Sequence, residues 1–433
     1  MPSKLTRRHF VVKSTAAVAA GSLAAALPVH AAGSDIIKVG LIGCGGRGLG
    51  AVNQALATGK DVKLVAVGDY FRSRAASGAA ALKKQFPEQV DVAEDRIFDG
   101  FRNNEGVTAA GADVILIACA AKFHPSYTLH ALKAGKHVFC EKPNAIDALG
   151  ISVLDEAVKL SQEKNLSFLC GLHSRFCPQY QALIEQIHNG GIGDIKMLQS
   201  TFLRSPYGVR SGVPVGSSEL DYQIWSQYMF NWISGDDFTQ SLVHNVDRML
   251  WVLKGEMPTH AFGMGGRASM TERKYGNVFD HHAAVFIYPQ DKRRYYAFCR
   301  TENGCYNNSD DLVIGTKGTA YLNAAKITGE TNWQYKGQKA GGHAEEQQTL
   351  FAGIRSGKRI HSDDYAVMST TLAVLGQIAS YTGQMISREE MVRSKFAFKP
   401  LPEECQADMT PPVLPDEKSG SYPVAIPGQT KFW

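Results

Sequence analysis

The feature that most constrains the fold is an apolar segment that runs directly into closely spaced glycines. Residues 39–48 read Val-Gly-Leu-Ile-Gly-Cys-Gly-Gly-Arg-Gly, a pattern that predicts a β-strand turning tightly into a helix. The first glycine of such a motif permits the turn, the second lets the backbone approach a pyrophosphate, and the third lets the helix pack on the strand. Asp69 ends the next apolar segment, 21 residues after Gly48, where its carboxylate can bind the hydroxyls of an adenosine ribose. The sequence therefore predicts a dinucleotide site.

The charge of Asp69 favours NAD as this dinucleotide. A carboxylate at this position repels the 2′-phosphate of NADP. Arg72 and Arg74 follow closely in the sequence and weaken that preference, so NADP remains an alternative. The residues of this region predicted to contact the cofactor are Gly43, Gly45, Gly46, Arg47, Gly48, Asp69 and Arg74.

Apolar strand-like segments alternate with helical ones through the first part of the chain, as is typical of a parallel sheet with helices on both faces. Apolar and polar residues then alternate over residues 196–203, 278–288 and 295–300, as is typical of antiparallel strands. We predict an α/β protein whose N-terminal Rossmann dinucleotide-binding domain precedes an α/β domain with a largely antiparallel open sheet. The predicted boundaries are 1–31 for a signal peptide, 35–155 for the Rossmann domain, 156–398 for a substrate-binding domain and 399–433 for an extended C-terminal arm.

The N-terminus is typical of an exported protein. Arg7 and Arg8 precede an alanine-rich apolar segment and the small-residue cleavage site Val29-His30-Ala31, which together predict a twin-arginine signal peptide. We therefore expect a periplasmic protein that is exported already folded. The apolar segment, residues 16–27, is shorter than the roughly 20 residues that a transmembrane helix needs, so we predict no membrane span.

Composition narrows the range of partners. The net charge is +5 and no basic cluster is interleaved with aromatic residues, so we predict no nucleic-acid partner.

The eight cysteines include no C-x-x-C pair. His281 and His282 are adjacent, and neighbouring side chains of a strand point to opposite faces. We therefore predict no metal site.

Lys142 follows the fourth apolar segment of the first part of the chain. The surrounding string, residues 134–143, reads Ala-Gly-Lys-His-Val-Phe-Cys-Glu-Lys-Pro. Ligands of an open parallel sheet bind outside the carboxyl ends of its strands, and a proline restricts the residue before it to extended backbone. These rules predict that Lys142 points into the cofactor cleft, the alternative being an ordinary solvated lysine.

Three motifs together resemble the Gfo/Idh/MocA oxidoreductases, named for glucose-fructose oxidoreductase and inositol dehydrogenase. They are the glycine motif, the string ending in Glu141-Lys142-Pro143, and His244-Asn245-Val246-Asp247. With the twin-arginine signal, the chain is similar to a secreted bacterial subgroup of that family. The resemblance implies that Lys142 contacts the substrate hydroxyl and the nicotinamide ribose, that His244 exchanges a proton with that hydroxyl, and that the protein is a homo-oligomer, either a dimer or a tetramer.

Many dehydrogenases of this family carry an aspartate four residues before the histidine, where this chain has Gln240. We predict one helix over residues 236–253, on which Gln240, His244 and Asp247 share a face. Gln240 is expected to bind a substrate hydroxyl without taking its proton. Asp247 is expected to hold the second ring nitrogen of His244 and so fix its tautomer. Periodicity alone leaves the alternative that this face is a solvated polar stripe.

Five further side chains are predicted to lie near the ligands. They are His124 and Glu141 on the cofactor side, and Arg175, Tyr207 and Asp280 on the substrate side. Each substrate-side candidate is equally compatible with a structural role. Arg175 is an example, since an arginine after a strand can tie two domains together.

Export constrains the reaction, because a periplasmic enzyme cannot exchange reduced cofactor with a cytoplasmic pool. The cofactor is therefore expected to be tightly held and regenerated in place. The predicted function is NAD(P)-dependent oxidation of a secondary hydroxyl of a small carbohydrate, a sugar or a cyclitol. Two alternatives remain, namely a redox-neutral NAD-dependent glycoside hydrolase, which oxidises, eliminates, hydrates and reduces, and a non-catalytic sugar-binding relative.

Overall fold

The computed structural model describes residues 36–206, 208–209, 211–212, 216–289 and 293–432. The predicted signal peptide and Tyr207 lie outside these residues. The described chain contains two β-sheets, one of six strands and one of nine.

The first sheet is parallel throughout. Its strands are β1 (Ile37–Ile42), β2 (Val62–Gly68), β3 (Ile97–Phe98), β4 (Val114–Ile117), β5 (His137–Cys140) and β6 (Phe168–Cys170). Across the sheet they follow the order β3-β2-β1-β4-β5-β6, the strand order of the Rossmann fold. The Rossmann prediction is confirmed. By sheet membership this unit includes β6, which lies beyond the predicted boundary at residue 155.

Helices connect these parallel strands. They are α1 (Gly46–Leu56), α2 (Arg72–Gln85), α3 (Asn103–Ala109), α4 (His124–Lys133) and α5 (Ala148–Glu163). Every residue of β4 and of β5 is buried, because a parallel sheet covered on both faces exposes neither. The near-continuous apolar segments in the sequence reflect this burial.

The second sheet is largely antiparallel, as predicted. Its strands are β7 (Ile195–Arg204), β8 (His260–Gly266), β9 (His281–Ile287), β10 (Arg294–Thr301), β11 (Asn308–Gly315), β12 (Gly318–Tyr321), β13 (Lys326–Gly329), β14 (Trp333–Gln334) and β15 (Ile386–Ser387). Their order is β14-β13-β12-β11-β7-β10-β9-β8-β15, and among these neighbours only β7 and β10 run parallel. Buried and partly exposed residues alternate along β9 and β10, so His281 and His282 lie on opposite faces.

Eight further helices follow β6 in the described part of the chain. They are α6 (Pro178–His188), α7 (Glu219–Trp225), α8 (Asn231–Ser234), α9 (Asp236–Gln240), α10 (Val243–Val252), α11 (His343–Ser356), α12 (Ala366–Thr382) and α13 (Arg388–Ser394). α12 packs against β8, β9, α9 and α10, and nearly all of its residues are buried, as expected of a helix that is apolar around most of its circumference. None of the helices in the described ranges is long and apolar enough to span a membrane.

The C-terminal arm packs against its own chain. Gln223 Nε2 donates a 2.7 Å hydrogen bond to the carbonyl oxygen of Val413. The ring of Tyr422 is buried, with its centroid 4.9 Å from that of Phe230. These contacts attach the arm to α7 and to the residue that precedes α8.

Candidate active site

Two pockets that share Ala118 and Cys119 form one cleft along the carboxyl ends of the parallel strands. The first, here called the glycine part, is lined by residues that include Gly43, Gly45 and Asp69. The second, the lysine part, is an open cavity of about 200 Å³. Its lining consists of Arg47, Ala118, Cys119, Ala121, His124, Glu141, Lys142, Gln227, Tyr228, Ser234, Gln240, His244 and His343.

The glycine loop has the geometry that a pyrophosphate needs. Gly43 has φ +95°, and a Cβ added to it would lie 2.4 Å from the backbone nitrogen of Cys119. A Cβ on Gly48 would lie 1.8 Å from the carbonyl oxygen of Gly43, so both positions require glycine for the fold itself. A Cβ on Gly46 would meet nothing within 4 Å, and no side chain caps the start of α1. The open space faces uncapped backbone N–H groups, which suit an anion.

Asp69 is held at the end of β2, beside this loop. Its Oδ2 accepts a 2.8 Å hydrogen bond from the backbone N–H of Cys44 and its Oδ1 accepts one of 3.1 Å from that of Phe71. A guanidinium nitrogen of Arg74 lies 3.5 Å from Oδ1, and the same guanidinium stacks on Phe71 and Trp225. The carboxylate is therefore preorganised where an adenosine ribose would bind in a Rossmann domain. These residues fit a dinucleotide.

Lys142 lies immediately after β5 and reaches the second domain. Its Nζ donates a 2.7 Å hydrogen bond to the backbone carbonyl oxygen of Gln240. Burial lowers the pKa of Lys142, while the carboxylates of Glu141 and Asp237 oppose that shift. The ammonium is thus fixed in the cleft by a carbonyl group rather than by a carboxylate.

The prediction of one helix over residues 236–253 is wrong. α9 ends at Gln240 and α10 begins at Val243, so the helix is interrupted at Ser241 and Leu242. This interruption leaves the backbone carbonyl oxygen of Gln240 available to accept the hydrogen bond from Lys142. Asp237 stabilises the interruption between the two helices, because its Oδ1 accepts hydrogen bonds from Ser241 and Arg204. Gln240 and His244 therefore belong to separate helices, although both line the lysine part.

The predicted contact between Asp247 and His244 is also wrong. Asp247 Oδ1 accepts hydrogen bonds of 2.8 Å from Arg175 and 2.7 Å from Ser369, and Arg175 also reaches Oδ2 at 3.1 Å. The guanidinium of Arg175 stacks on Tyr365 at 3.8 Å. Neither Asp247 nor Arg175 lines the cleft. The pair instead ties the turn after β6 to α10, which was the structural alternative for Arg175.

His244 lines the lysine part, but no side chain in the described part of the chain holds its Nδ1. Within the described ranges, its buried Nδ1 has no hydrogen-bond partner. Burial lowers the pKa of His244 well below the ordinary value, and His173, Lys142 and Arg248 lower it further. A neutral imidazole beside an ammonium supplies a base and a cation in the same pocket, which is what proton removal from an alcohol requires.

Two further histidines adjoin His244, and the sequence analysis missed both. The ring centroid of His173 lies 4.7 Å from that of His244, and the ring of His343 lies 4.1 Å beyond His173. His173 follows β6 at the carboxyl edge of the sheet, so the strand-end rule that indicated Lys142 could have found it. His343 begins α11 after two glycines, and only the tertiary fold brings it to this cleft.

A cluster of charged groups, which includes Arg47, Glu141 and His343, borders the lysine part. Arg47 Nε donates a 2.5 Å hydrogen bond to Glu141 Oε1. Potential ligand atoms of Glu141, His343 and Glu346 lie within 4.8 Å of one another, and burial together with Glu141 raises the pKa of Glu346 well above its ordinary value. The guanidinium already neutralises Glu141, so this cluster gives no reason to revise the prediction that the site holds no metal.

His124 and Asp280 have partners within the protein. The ring nitrogens of His124 lie 2.7 Å from the carbonyl oxygen of Pro143 and 3.1 Å from that of Cys119, so His124 supports two walls of the lysine part. Asp280 Oδ2 accepts hydrogen bonds from the backbone N–H groups of residues 268–270. Asp280 does not line the cleft, in disagreement with its predicted substrate contact. Tyr207, the remaining candidate, lies outside the described residues.

Comparisons with known proteins agree with the Rossmann domain. Residues 37–171 match a model of an oxidoreductase family with an NAD-binding Rossmann fold, Gfo/Idh/MocA. An inositol 2-dehydrogenase of Rhizobium meliloti is 25% identical over 284 residues, which cover 65% of this chain and 74% of that protein. One of Acidothermus cellulolyticus is 29% identical, and its match spans 51% of this chain but only 54% of that protein.

Solved structures show the same fold across both domains. The crystal structure of scyllo-inositol dehydrogenase from Lactobacillus casei with NAD(H) and scyllo-inositol superposes with a TM-score of 0.60 at 21% identity, covering 82% of this chain and 99% of that one. An aldose-aldose oxidoreductase from Caulobacter crescentus complexed with glycerol gives 0.63 at 14% identity, covering 81% and 99%.

Proposed function

We propose that the protein oxidises a secondary hydroxyl group of a cyclitol or sugar with NAD, as a member of the Gfo/Idh/MocA oxidoreductases, whose NAD-binding Rossmann model matches residues 37–171. The relatives named inositol 2-dehydrogenase support a cyclitol as the first substrate class to test. Because an aldose-aldose oxidoreductase has the same fold, free sugars are the second substrate class to test.

One observation carries the proposal. The ammonium of Lys142 is bonded to the carbonyl oxygen of Gln240 at 2.7 Å, in a pocket that also contains His244 and joins the glycine part through Cys119. A cation and a neutral base therefore face the same space beside the predicted dinucleotide site. Oxidation of an alcohol needs both, because a proton leaves the oxygen while hydride leaves the carbon.

Each residue has a defined task in the proposed reaction. His244 takes the proton of the substrate hydroxyl, and its lowered pKa keeps it neutral and ready to do so. Lys142 stabilises the negative charge that develops on the oxygen, and it does so more strongly in a pocket that excludes water. The chemistry that bound NAD would supply is that of a hydride acceptor for the carbinol carbon. The products would then be a ketone, NADH and a protonated His244.

The cofactor would be held along the carboxyl edge of the first sheet. The uncapped N-terminus of α1 would bind the pyrophosphate, and Asp69 would bind the adenosine ribose. Glu141 and His124 line the lysine part with Lys142, and these residues would adjoin the nicotinamide. The residues that require glycine for the fold, Gly43 and Gly48, shape the loop without contributing a side chain.

A substrate panel tests the proposal. The purified protein is incubated with NAD and a series of inositols and aldoses, and formation of NADH is followed together with formation of ketone. We expect equimolar NADH and ketone from at least one cyclitol or sugar. Failure of every alcohol in the panel, with release of aglycone from aryl glycosides in the same assay, would replace this function by the redox-neutral glycosidase.

Export and assembly enter the proposal from the sequence alone. We propose that residues 1–31 direct the folded protein to the periplasm with NAD bound, and that the mature protein is a dimer or tetramer. Cell fractionation and release of cofactor from the purified periplasmic protein test the first statement. Light scattering coupled to size exclusion tests the second.

A further inference from the structure

One segment of the second domain borders both parts of the cleft. It comprises α7 and the turn that follows it, residues 219–229, and is here called the strap. Ile224 and Gln227 of the strap line the glycine part, and Gln227 and Tyr228 line the lysine part. The cleft therefore has a wall along its length that the Rossmann domain does not supply.

The wall at Ile224 suits an adenine ring. Ile224 is buried and shares its pocket with Asp69 and with three aromatic residues. The ring of Phe123 lies 5.6 Å from that of Phe101 and 5.5 Å from that of Tyr127. Small-molecule sites are lined mainly by apolar and aromatic side chains with a few polar groups that fix orientation. Ile224 would therefore pack on the adenosine that Asp69 binds.

Gln227 lies where the two parts of the cleft meet, because it lines both. Its side chain is half-buried and makes no hydrogen bond with the described residues. The amide carries a carbonyl acceptor and two N–H donors, which a ribose hydroxyl or a pyrophosphate oxygen can use. These groups of a dinucleotide lie between the adenine and the nicotinamide. Gln227 would therefore bind the middle of the cofactor.

Two contacts attach the strap to the residues that follow β2. The hydroxyl of Tyr70 donates a 2.9 Å hydrogen bond to Asp221 Oδ1, and Asp221 Oδ2 accepts one of 3.1 Å from the backbone N–H of Ser218. Burial and Asp221 raise the pKa of Tyr70, so the hydroxyl keeps the proton that it donates. In the second contact, Cζ of Arg74 lies 4.4 Å from the centroid of a Trp225 ring. The two contacts are here called the latch.

Other side chains of the strap fix it within the second domain. Gln223 Nε2 donates a 2.7 Å hydrogen bond to the carbonyl oxygen of Val413, and Gln223 Oε1 accepts one of 2.8 Å from Trp232. Glu219 forms a 2.6 Å ion pair with Arg273. Since these contacts stay within the second domain, the latch supplies the polar contacts that must break when the strap separates from the Rossmann domain.

The latch bridges two walls of one pocket. Tyr70 and Arg74 line the glycine part from the Rossmann domain, and Ile224 and Gln227 line it from the strap. We propose that the strap covers the bound dinucleotide, with Ile224 against the adenosine and Gln227 on the middle of the cofactor, and that the latch opens whenever the dinucleotide enters or leaves. The inference rests on the proposed function for the identity of the cofactor.

Rate constants for NADH binding test the latch without any substrate. NADH fluorescence gives the association rate constant on mixing and the dissociation rate constant when excess NAD displaces bound NADH. Tyr70→Phe removes only the hydroxyl of the latch. We expect both rate constants to rise by about tenfold, the contribution of one hydrogen bond to a carboxylate, with Kd nearly unchanged. Tyr222→Phe is the same change on a strap residue that lines neither part of the cleft, and as the matched control it should alter neither rate constant.

Gln227→Ala tests the direct contact with the cofactor. Loss of a contact that exists only in the complex raises the dissociation rate constant and Kd, by about tenfold for an amide bonded to a phosphate oxygen, and leaves the association rate constant unchanged. Trp225→Leu removes the ring that stacks on Arg74, so it should raise both rate constants as Tyr70→Phe does.

Unchanged rate constants in Tyr70→Phe, or faster dissociation without faster association, would overturn the latch, and Trp225→Leu decides in the same way if the phenylalanine variant does not fold. An unchanged Kd in Gln227→Ala would overturn the contact with the cofactor. Wild-type protein that binds NADH with the expected pattern but oxidises no alcohol rejects the proposed function and leaves the inference standing. Protein that binds no NADH rejects both.

Discussion

Lys142 Nζ donates a 2.7 Å hydrogen bond to the carbonyl oxygen of Gln240, and this bond joins the end of β5 to the break between α9 and α10. A continuous helix would have used that carbonyl internally, because each carbonyl of an α-helix bonds to the N–H four residues later. The helix break thus supplies the acceptor that fixes the ammonium. The family resemblance predicts a substrate contact for the side chain of Gln240, and the structure shows in addition that its backbone carbonyl oxygen binds Lys142.

Lys142→Met should remove most of the oxidation and leave the dinucleotide bound. The glycine loop and Asp69 hold the cofactor, while loss of a cation that acts in the transition state typically costs about 10²–10³ in rate. Calorimetry with NAD and initial rates on the substrate found in the panel measure the two effects. Lys60→Met, at an exposed lysine, is the control. Equal loss of NAD affinity and rate in Lys142→Met would contradict the assignment.

The pH profile of kcat/KM should be broad. His244 must be neutral to accept a proton, and burial sets its pKa below the ordinary 6.5, so activity should persist as pH falls to 6 and decline only under more acidic conditions. Lys142 must be charged, and burial lowers its pKa below 10.5, so the alkaline decline should begin earlier than for a free lysine. His244→Ala should remove the acid limb. An acid limb centred above 6.5 in the wild type would contradict a buried neutral base.

Gly46→Ala and Gly48→Ala should separate binding from folding. At Gly46 the new methyl group meets no protein atom within 4 Å, so the variant should fold with an unchanged or slightly higher Tm and bind NAD at least about tenfold more weakly, which corresponds to about 1.4 kcal/mol. At Gly48 the methyl group collides with Gly43, so Tm should fall. Normal NAD affinity in Gly46→Ala would show that the pyrophosphate lies elsewhere.

Arg175→Met should act on stability. Among the described residues, this change leaves the buried carboxylate of Asp247 with Ser369 as its remaining side-chain partner. Removal of one member of a buried ion pair typically costs about 3–5 kcal/mol. Chemical denaturation measures the loss, and kinetics below the unfolding temperature should show little change in KM. The double variant Arg175→Met/Asp247→Leu should recover part of the stability. Unchanged stability with a raised KM would return Arg175 to the substrate site.

The first sheet could be predicted from the sequence because its signals are local. β2, β5 and β6 are flanked on both sides by polar or glycine residues, and β1 ends at a glycine. The glycine motif also defines a turn that few other sequences permit. The two residues of β3 carry no periodicity and were missed.

The parts that could not be predicted depend on contacts between distant segments. The hydrophobic pattern of residues 236–253 is helical throughout, but Asp237 binds Arg204 and Ser241 and the chain breaks after Gln240. Asp247 has the spacing to contact His244, but its carboxylate is bound instead by Arg175, which comes from another segment of the chain. His343 is far from the cleft in sequence and arrives there only through the packing of α11 on α1.

The central claim is that the cleft transfers hydride from a carbinol carbon to NAD, with Lys142 and His244 on the oxygen. The most direct measurement uses the best alcohol of the panel with deuterium on the reacting carbon and NAD in ordinary water. We predict that the deuterium appears on the nicotinamide ring of the NADH formed, that kcat/KM shows a primary isotope effect, and that both are lost in Lys142→Met and retained in Lys60→Met. Loss of the deuterium to solvent, or turnover without any deuterium on the nicotinamide, would contradict the account.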